Sequence, residues 1–413
     1  MTTSKKNNYF FESPPLIIFG GGVHQIPYIE YCIENKLPTL VIDKNEDCPA
    51  KQCCDYLLNV DTPNNESLSV FNAIDKIVFK SGVLGVLVAG VELAILGSFI
   101  AKKFKAKSID LSTAKLATNK IMRAIQFKKL NIPYASFEIF DDMVSINNDY
   151  PYVIKTEEGS GSRGVRVISS ENDFMAAQND FMNEKKSKFL VEEFMNGEEI
   201  SIEAFIYKGK FNYYCFAIRD FQLISNGQLI EHGSISDPRY DKKKIKQVKK
   251  VFEDACKAIG LDEGPAKGDI LITAAGPKVI EVASRSAPLA PLISNEIYGI
   301  DMISEHIKWA MGLKAIFKSK LIDFSKSKPI CHRYLSHKKG VLNNIRGINE
   351  ARKSKDVIKI VILRKLSYPI NLEDATNTNR ILYVVTTGSD AKNARLNADI
   401  SLSKIKLSYK QLI

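Results

Sequence analysis

No Cys-x-x-Cys pair, His-Glu-x-x-His stretch or mixed Cys/His finger occurs in the 413 residues, so zinc sites of the usual spacings are not expected. The seven cysteines (Cys32, Cys48, Cys53, Cys54, Cys215, Cys256 and Cys331) are odd in number and irregularly placed. They read as reduced thiols of a cytoplasmic protein rather than as a disulfide framework. Residues 1–13 are polar and then aromatic, without the apolar core of a signal peptide. Only residues 82–101 approach membrane-span length, and four glycines and Glu92 interrupt them. Their first half reads instead as a buried strand running through a turn into a helix. No basic segment is interleaved with aromatics and no nucleic-acid-binding motif is found, although the net charge is +11. The densest basic stretch, residues 242–250, is the solvated face of a helix whose other face carries Ile245, Val248, Val251 and Phe252. Neither nucleic acid nor a membrane is therefore an expected partner.

What remains is an ordinary soluble composition, 45% hydrophobic and 25% charged, long enough for two to four domains. Residues 16–19 form an apolar strand, followed by Gly20, Gly21 and Gly22, an amphipathic stretch to Glu34, and a strand at 39–42 closing with Asp43. That is a βαβ unit, and the strand expected at 85–89 extends it into a parallel, helix-covered sheet. A Rossmann-like first domain over 1–112 follows. Residues 113–130 are helical until Asn131-Ile132-Pro133 breaks the pattern. Two strands within 152–168 flank a glycine-rich loop, which with the preceding helix makes a second unit over 113–190. A turn at Asn196-Gly197 and a hairpin at 269–282 organise a third, over 191–313. After a lysine- and serine-rich linker at 314–328, residues 329–413 read as a small separate α+β unit. The fold class is thus α/β and α+β.

Four constellations carry chemistry. The triple glycine with Asp43 suggests a dinucleotide fingerprint, but Gln25 stands where the third glycine is needed, so a tight turn without cofactor is preferred to an NAD site. The second is the loop Gly159, Ser160, Gly161, Ser162, Arg163, Gly164, preceded by Lys155. Glycine amides can crowd phosphate oxygens there and Lys155, expected as an exposed cleft lysine, supplies a point charge. The loop opens a strand rather than a helix, so it is not a Walker loop, and no His-Arg-Asp or Asp-Phe-Gly follows as a kinase requires. Taken alone it is also compatible with a flexible hairpin. Third, Glu192, Glu193, Phe194, Met195, Glu198, Glu199 and Glu203 surround an apolar strand and turn. Such an array is either a charged sheet edge or an adenine-gripping segment followed by a ribose-binding carboxylate. Fourth, the hairpin places Asp269 and Glu281 on neighbouring strands, where paired carboxylates suit magnesium. Arg285 would face a transferring phosphoryl group, unless Glu281 and Arg285 form only a surface ion pair.

In order and spacing these elements resemble the ATP-grasp superfamily, especially its carboxylate-amine ligases related to amino-acid ligases and carbamoyl-phosphate synthetase. The resemblance covers nearly the whole chain, from a pre-ATP-grasp domain with Gly20–Gly22, Asp43, Cys48-Pro49-Ala50 and Cys54-Asp55 onward. It implies that Lys120, in Asn119-Lys120 with Arg123, and Lys155 bind ATP, that 159–164 covers the phosphates, that 192–195 contacts adenine and that Glu199 binds ribose. It further implies that Asp269 and Glu281 hold magnesium, or manganese in its place, and that Lys155 and Arg285 act on the phosphoryl group. Three departures stand out: Asn119 for aspartate, Lys267 for histidine, and Ala283 for the asparagine two residues after the second metal glutamate. The implied activity is an ATP-dependent ligase that joins a small carboxylate to an amine through an acyl phosphate. A carboxylase using carboxyphosphate, a non-catalytic ATP-binding regulator and an NAD-linked oxidoreductase stay open, as does a homodimer, since relatives are often dimers.

Overall fold

The computed structural model describes residues 11–410 apart from 79, 147, 160, 184–187, 225, 317–326, 337–339, 368, 371–376, 378 and 379. Four short strands open the chain: β1 (Leu16–Phe19), β2 (Thr39–Asp43), β3 (Tyr56–Asn59) and β4 (Gly85–Val88). They form a parallel sheet in the order β3-β2-β1-β4. Every side chain of β1 is buried, as a parallel strand covered on both faces requires. Ile17 and Phe19 face one core with Val70, Ile74 and Leu96, while Leu16 and Ile18 face the other with Ile29 and Leu87. The apolar stretch 82–101 resolves into β4 and the helix Ala94–Lys103, and among the described residues no helix is long and apolar enough to cross a membrane.

The next sheet is antiparallel, ordered β5-β8-β6-β7, from β5 (Phe137–Phe140), β6 (Tyr152–Thr156), β7 (Val165–Ile168) and β8 (Phe189–Glu193). The helix Glu171–Asn183 covers it through Ala177 and Phe181. Ahead of it the helix Lys120–Lys129 begins at Asn119, whose side chain accepts from the amide of Met122 and caps the helix. Then come β9 (Glu198–Tyr207), β10 (Lys210–Leu223), β11 (Leu229–Ser236), β12 (Gly264–Thr273) and β13 (Gly276–Ala283). The lysine-rich helix Lys242–Ala258 packs Val248, Phe252 and Ala255 against this sheet and leaves its lysines outward, as its periodicity dictates.

The remaining strands are β14 (Ile330–Ser336), β15 (Gly340–Arg346), β16 (Val357–Ile362), β17 (Pro369–Ile370), β18 (Arg380–Thr387) and β19 (Lys406–Lys410). The C-terminal segment is α+β in content, but it is joined to the centre of the molecule. Strand β14 pairs with β11, giving one eight-stranded sheet, β13-β12-β9-β10-β11-β14-β18-β16. Strands β15, β17 and β19 make a small sheet of their own.

Candidate active site

The glycine-rich loop is the connection of the β6–β7 hairpin, which pairs Lys155 with Val165. Gly164 has φ +71°, and a Cβ there would lie 2.0 Å from Thr156 Oγ1, so the closing turn requires glycine. Gly159 offers its carbonyl to Lys120 Nζ at 3.1 Å, which ties the loop to the start of the helix Lys120–Lys129. The amide of Lys120 donates to the Glu157 carbonyl at 2.9 Å, and Asn119 Nδ2 reaches Glu157 Oε1 at 2.7 Å. Asn119, read from sequence only as a departure, therefore caps the helix and anchors the loop. Ser160 lies outside the described residues, and Ser162 sits in the left-handed region at φ +63°.

Lys155 is buried, not exposed in a cleft as expected, because its position on β6 faces β8. Its Nζ lies 2.6 Å from Glu192 Oε2, and Tyr134 donates its hydroxyl to the other oxygen of the same carboxylate. Glu192 is thus the counterion of Lys155. Glu193 turns outward to Lys278 at 2.6 Å, while Phe194 and Met195 are half-buried in the connection to β9. Gly197 closes that connection, where a Cβ would meet the Ile272 carbonyl at 2.4 Å.

Across from the loop, β12 and β13 place Asp269 and Glu281 directly opposite each other. Neither forms the pair suggested for Glu281 and Arg285. Arg285 Nε binds Glu92 Oε2 at 2.7 Å, whereas Glu281 Oε1 is held by Lys267 Nζ at 3.0 Å. The same ammonium lies 2.6 Å from Asp269 Oδ2, which also receives Arg219 Nη1 at 2.7 Å. Arg219 continues to Glu199 at 2.7 Å and to Glu231 at 3.2 Å, and Arg380 reaches Glu231 at 2.8 Å.

The electrostatics follow from burial and these contacts. Lys267 and a nearby arginine hold the Glu281 carboxyl well below the usual carboxylate range. Burial pushes the Lys267 ammonium down, and the carboxylates of Asp269 and Glu281 more than offset it. Glu199 is pushed up to about 7 by burial, opposed by Arg219. Lys120 is pulled down to about 8, by burial first and by Arg123 next.

A small cleft brings together Gly159 and Gly161 of the loop, Glu281, Ala283 and Arg285 of the hairpin side, and Glu92 and Arg123, while Lys120, Lys155, Glu199 and Asp269 do not line it. Arg123 is buried, donates to the Ala117 carbonyl at 2.8 Å, and leaves its Nε without a partner among the described residues. Sequence reasoning missed Arg219, Glu231, Arg380 and Tyr134. Arg219 had a signal: a charge inside the otherwise apolar run Phe216-Ala217-Ile218. Glu92 had been noted only as a break in an apolar stretch.

The N-terminal glycine amides are engaged within the chain. The Gly21 amide donates to Asp43 Oδ2 at 2.7 Å and the Gly22 amide to Gln25 Oε1 at 3.1 Å, so the groups a pyrophosphate would use are taken.

The glycine-rich hairpin loop with Lys120 and Lys155 thus stands opposite the β12–β13 carboxylate hairpin, and this arrangement was compared with known proteins. Residues 148–294 match the family model described as the ATP-grasp domain. The phosphoribosylamine–glycine ligase of Halalkalibacterium halodurans is 25% identical over 231 residues, 50% of this chain and 54% of that protein. The chain thus spans about half the length of that relative. An L-amino acid ligase from Bacillus licheniformis superposes with a TM-score of 0.79 at 15% identity, over 97% of this chain and 99% of that one. A phosphoribosylglycinamide synthetase from Anaerococcus prevotii does so at 0.74 and 18%, over 97% and 100%. Residues 148–294 thus carry the ATP-grasp domain, and the whole chain shares the mixed α/β fold of the superposed ligases.

Proposed function

We propose that the protein is an ATP-dependent ligase that activates a small-molecule carboxylate as an acyl phosphate and joins it to an amine. One observation carries this reading: the cleft brings the glycine loop together with Glu281, Arg285 and Arg123. The named activities of the similar ligases point the same way. Its reduced-thiol composition suits a cytoplasmic setting.

The carboxylate site fits a divalent ion. Asp269 Oδ1 is buried and carries no hydrogen-bond partner among the described residues, which leaves an oxygen for a ligand. Glu281 is engaged through Oε1 alone among the described residues. Asp269 and Glu281 would hold magnesium, or manganese, which supplies charge neutralisation at the phosphate oxygens and usually keeps water and phosphate in its shell. Lys120 and Lys155 orient the phosphates from the loop side, and Arg285 and Arg123 place positive charge at the opposite wall. A carboxylate oxygen attacks the γ-phosphorus as the bond to the bridging oxygen breaks, and ADP leaves. The amine nitrogen then attacks the carbonyl carbon, phosphate departs, and the nitrogen gives up a proton. The loop at 159–164 excludes water, which would otherwise hydrolyse the acyl phosphate.

The experiment is ADP release from a folded Glu281→Gln protein across a panel of amino acids and small carboxylates with amine partners. Gln keeps the volume but removes a charge that balances the cation, so turnover should fall at least a hundredfold while the fold persists. Unchanged turnover at saturating magnesium would refute the assignment.

A further inference from the structure

Lys267 occupies the middle of the carboxylate hairpin. On β12 it is flanked in register by Glu203 of β9 and Ala283 of β13. Alternate residues of a strand share a face, so Lys267 and Asp269 lie on the same side as Glu281 and Ala283. Directly opposed residues stand about 5 Å apart at Cβ, and a small residue at 283 leaves that space open beside the lysine. Its ammonium is seated between the two carboxylates, 2.6 Å from Asp269 Oδ2 and 3.0 Å from Glu281 Oε1.

The oxygen inventory then limits what else can bind. Two carboxylates present four oxygens. Asp269 Oδ2 already takes two charged donors, Lys267 and Arg219, and Glu281 Oε1 takes Lys267. Among the described residues one oxygen remains on each, and Asp269 Oδ1 is the buried one without a partner. Among the described residues no third His, Cys, Asp or Glu completes a metal-binding group. A second divalent ion at these carboxylates would face the ammonium already seated between them, at close range and with like charge. One ion could use the remaining oxygens without displacing that ammonium.

We infer that Lys267 is a resident monovalent cation of this site, and that the site consequently takes one divalent ion with the nucleotide instead of two. Lys267 and Ala283 act as a unit: the lysine supplies positive charge where a second metal would lie, and the alanine gives it room. This rests on the ATP-ligase reading above and specifies the metal requirement of that same site.

The test counts metal. The full chain is saturated with a non-hydrolysable ATP analogue, adenylyl imidodiphosphate, and titrated with Mn2+, with free ion followed by electron paramagnetic resonance. One bound Mn2+ per chain is expected for the wild type. Two are expected for Lys267→His combined with Ala283→Asn, which removes the ammonium and adds ligands. Two ions in the wild type would overturn the inference and leave the ATP reading standing, as would a folded double variant that still binds one. Failure of the wild type to retain the analogue would overturn both. Because the wild-type count decides by itself, misfolding of the variant does not shelter the inference.

Discussion

At the residue scale, the buried ion pair of Lys155 and Glu192 changes what a lysine substitution would report. Lys155→Ala leaves a carboxylate of which only 3% of the side chain is exposed with Tyr134 as its remaining side-chain partner among the described residues, and breaking a buried pair typically costs about 3–5 kcal/mol. A loss of activity in that variant would therefore confound folding with chemistry. Lys155→Met combined with Glu192→Gln removes both charges and keeps a partner for Tyr134. Urea melts should show the double variant recovering most of the lost stability while ADP release stays abolished. A double variant as unstable as the single one would mean that Lys155 matters to the fold through something other than its charge.

Lys120 gives a pH signature at the same scale. Its folded pKa near 8 lies below the value of about 10.4 for an unperturbed lysine. Between these values the unfolded chain binds more protons than the folded one, so this group makes stability rise with pH across that window. Below about 8 both states carry the proton, and the contribution is unfavourable and constant. Phosphate oxygens placed beside Lys120 would favour its charged form and raise the pKa again. Binding of the ATP analogue near pH 9 should then take up close to one proton, read from calorimetry in two buffers of different ionisation enthalpy. Lys120→Met should remove that uptake. Equal heats in both buffers for the wild type would place the phosphates elsewhere.

At the element scale, the β6–β7 hairpin separates glycines that are structurally required from one that is only permitted. Gly164→Ala drives a Cβ into Thr156 at positive φ, whereas Gly161→Ala meets nothing within 4 Å at φ +62°. The first should cost well over the second, which should lose about 1–2 kcal/mol from backbone conformation alone. Thermal melts of the two variants check the order. Elements of this kind were legible in the sequence because their signals are local. The glycines, the strand alternation around Lys155 and the turn before β9 all lie within a few residues of what they determine. The pairing of Asp269 with Glu281 was legible too, since a short hairpin fixes its register. Lys267 was visible as an unexpected residue but not as the bridge between them. Its role depends on three strands lying in register, and on Arg219 arriving from a fourth. The attachment of β14 to β11 was equally hidden, because the partners are separated by about a hundred residues and no turn specifies their meeting.

At the scale of the whole molecule, the site is built from pieces of three sheets' surroundings: the loop of β6–β7, the hairpin of β12–β13, and Glu92 from the connection after β4. A nucleotide bridging these pieces binds only the folded arrangement, so it should stabilise the entire chain rather than one unit. Ligand at about a hundred times its dissociation constant adds roughly 2.7 kcal/mol to the folded state. NAD should add much less, since Asp43 and Gln25 already occupy the glycine amides its pyrophosphate would need. GTP should also fall short of ATP if the connection at 192–195 reads the adenine edge. Parallel thermal-shift series with magnesium and each nucleotide, carried to saturation, give the comparison directly. Equal shifts with ATP and GTP would count against the assignment of Phe194 and Met195 to the base. A larger shift with NAD would return the N-terminal glycines to consideration and remove the loop at 159–164 from the nucleotide site.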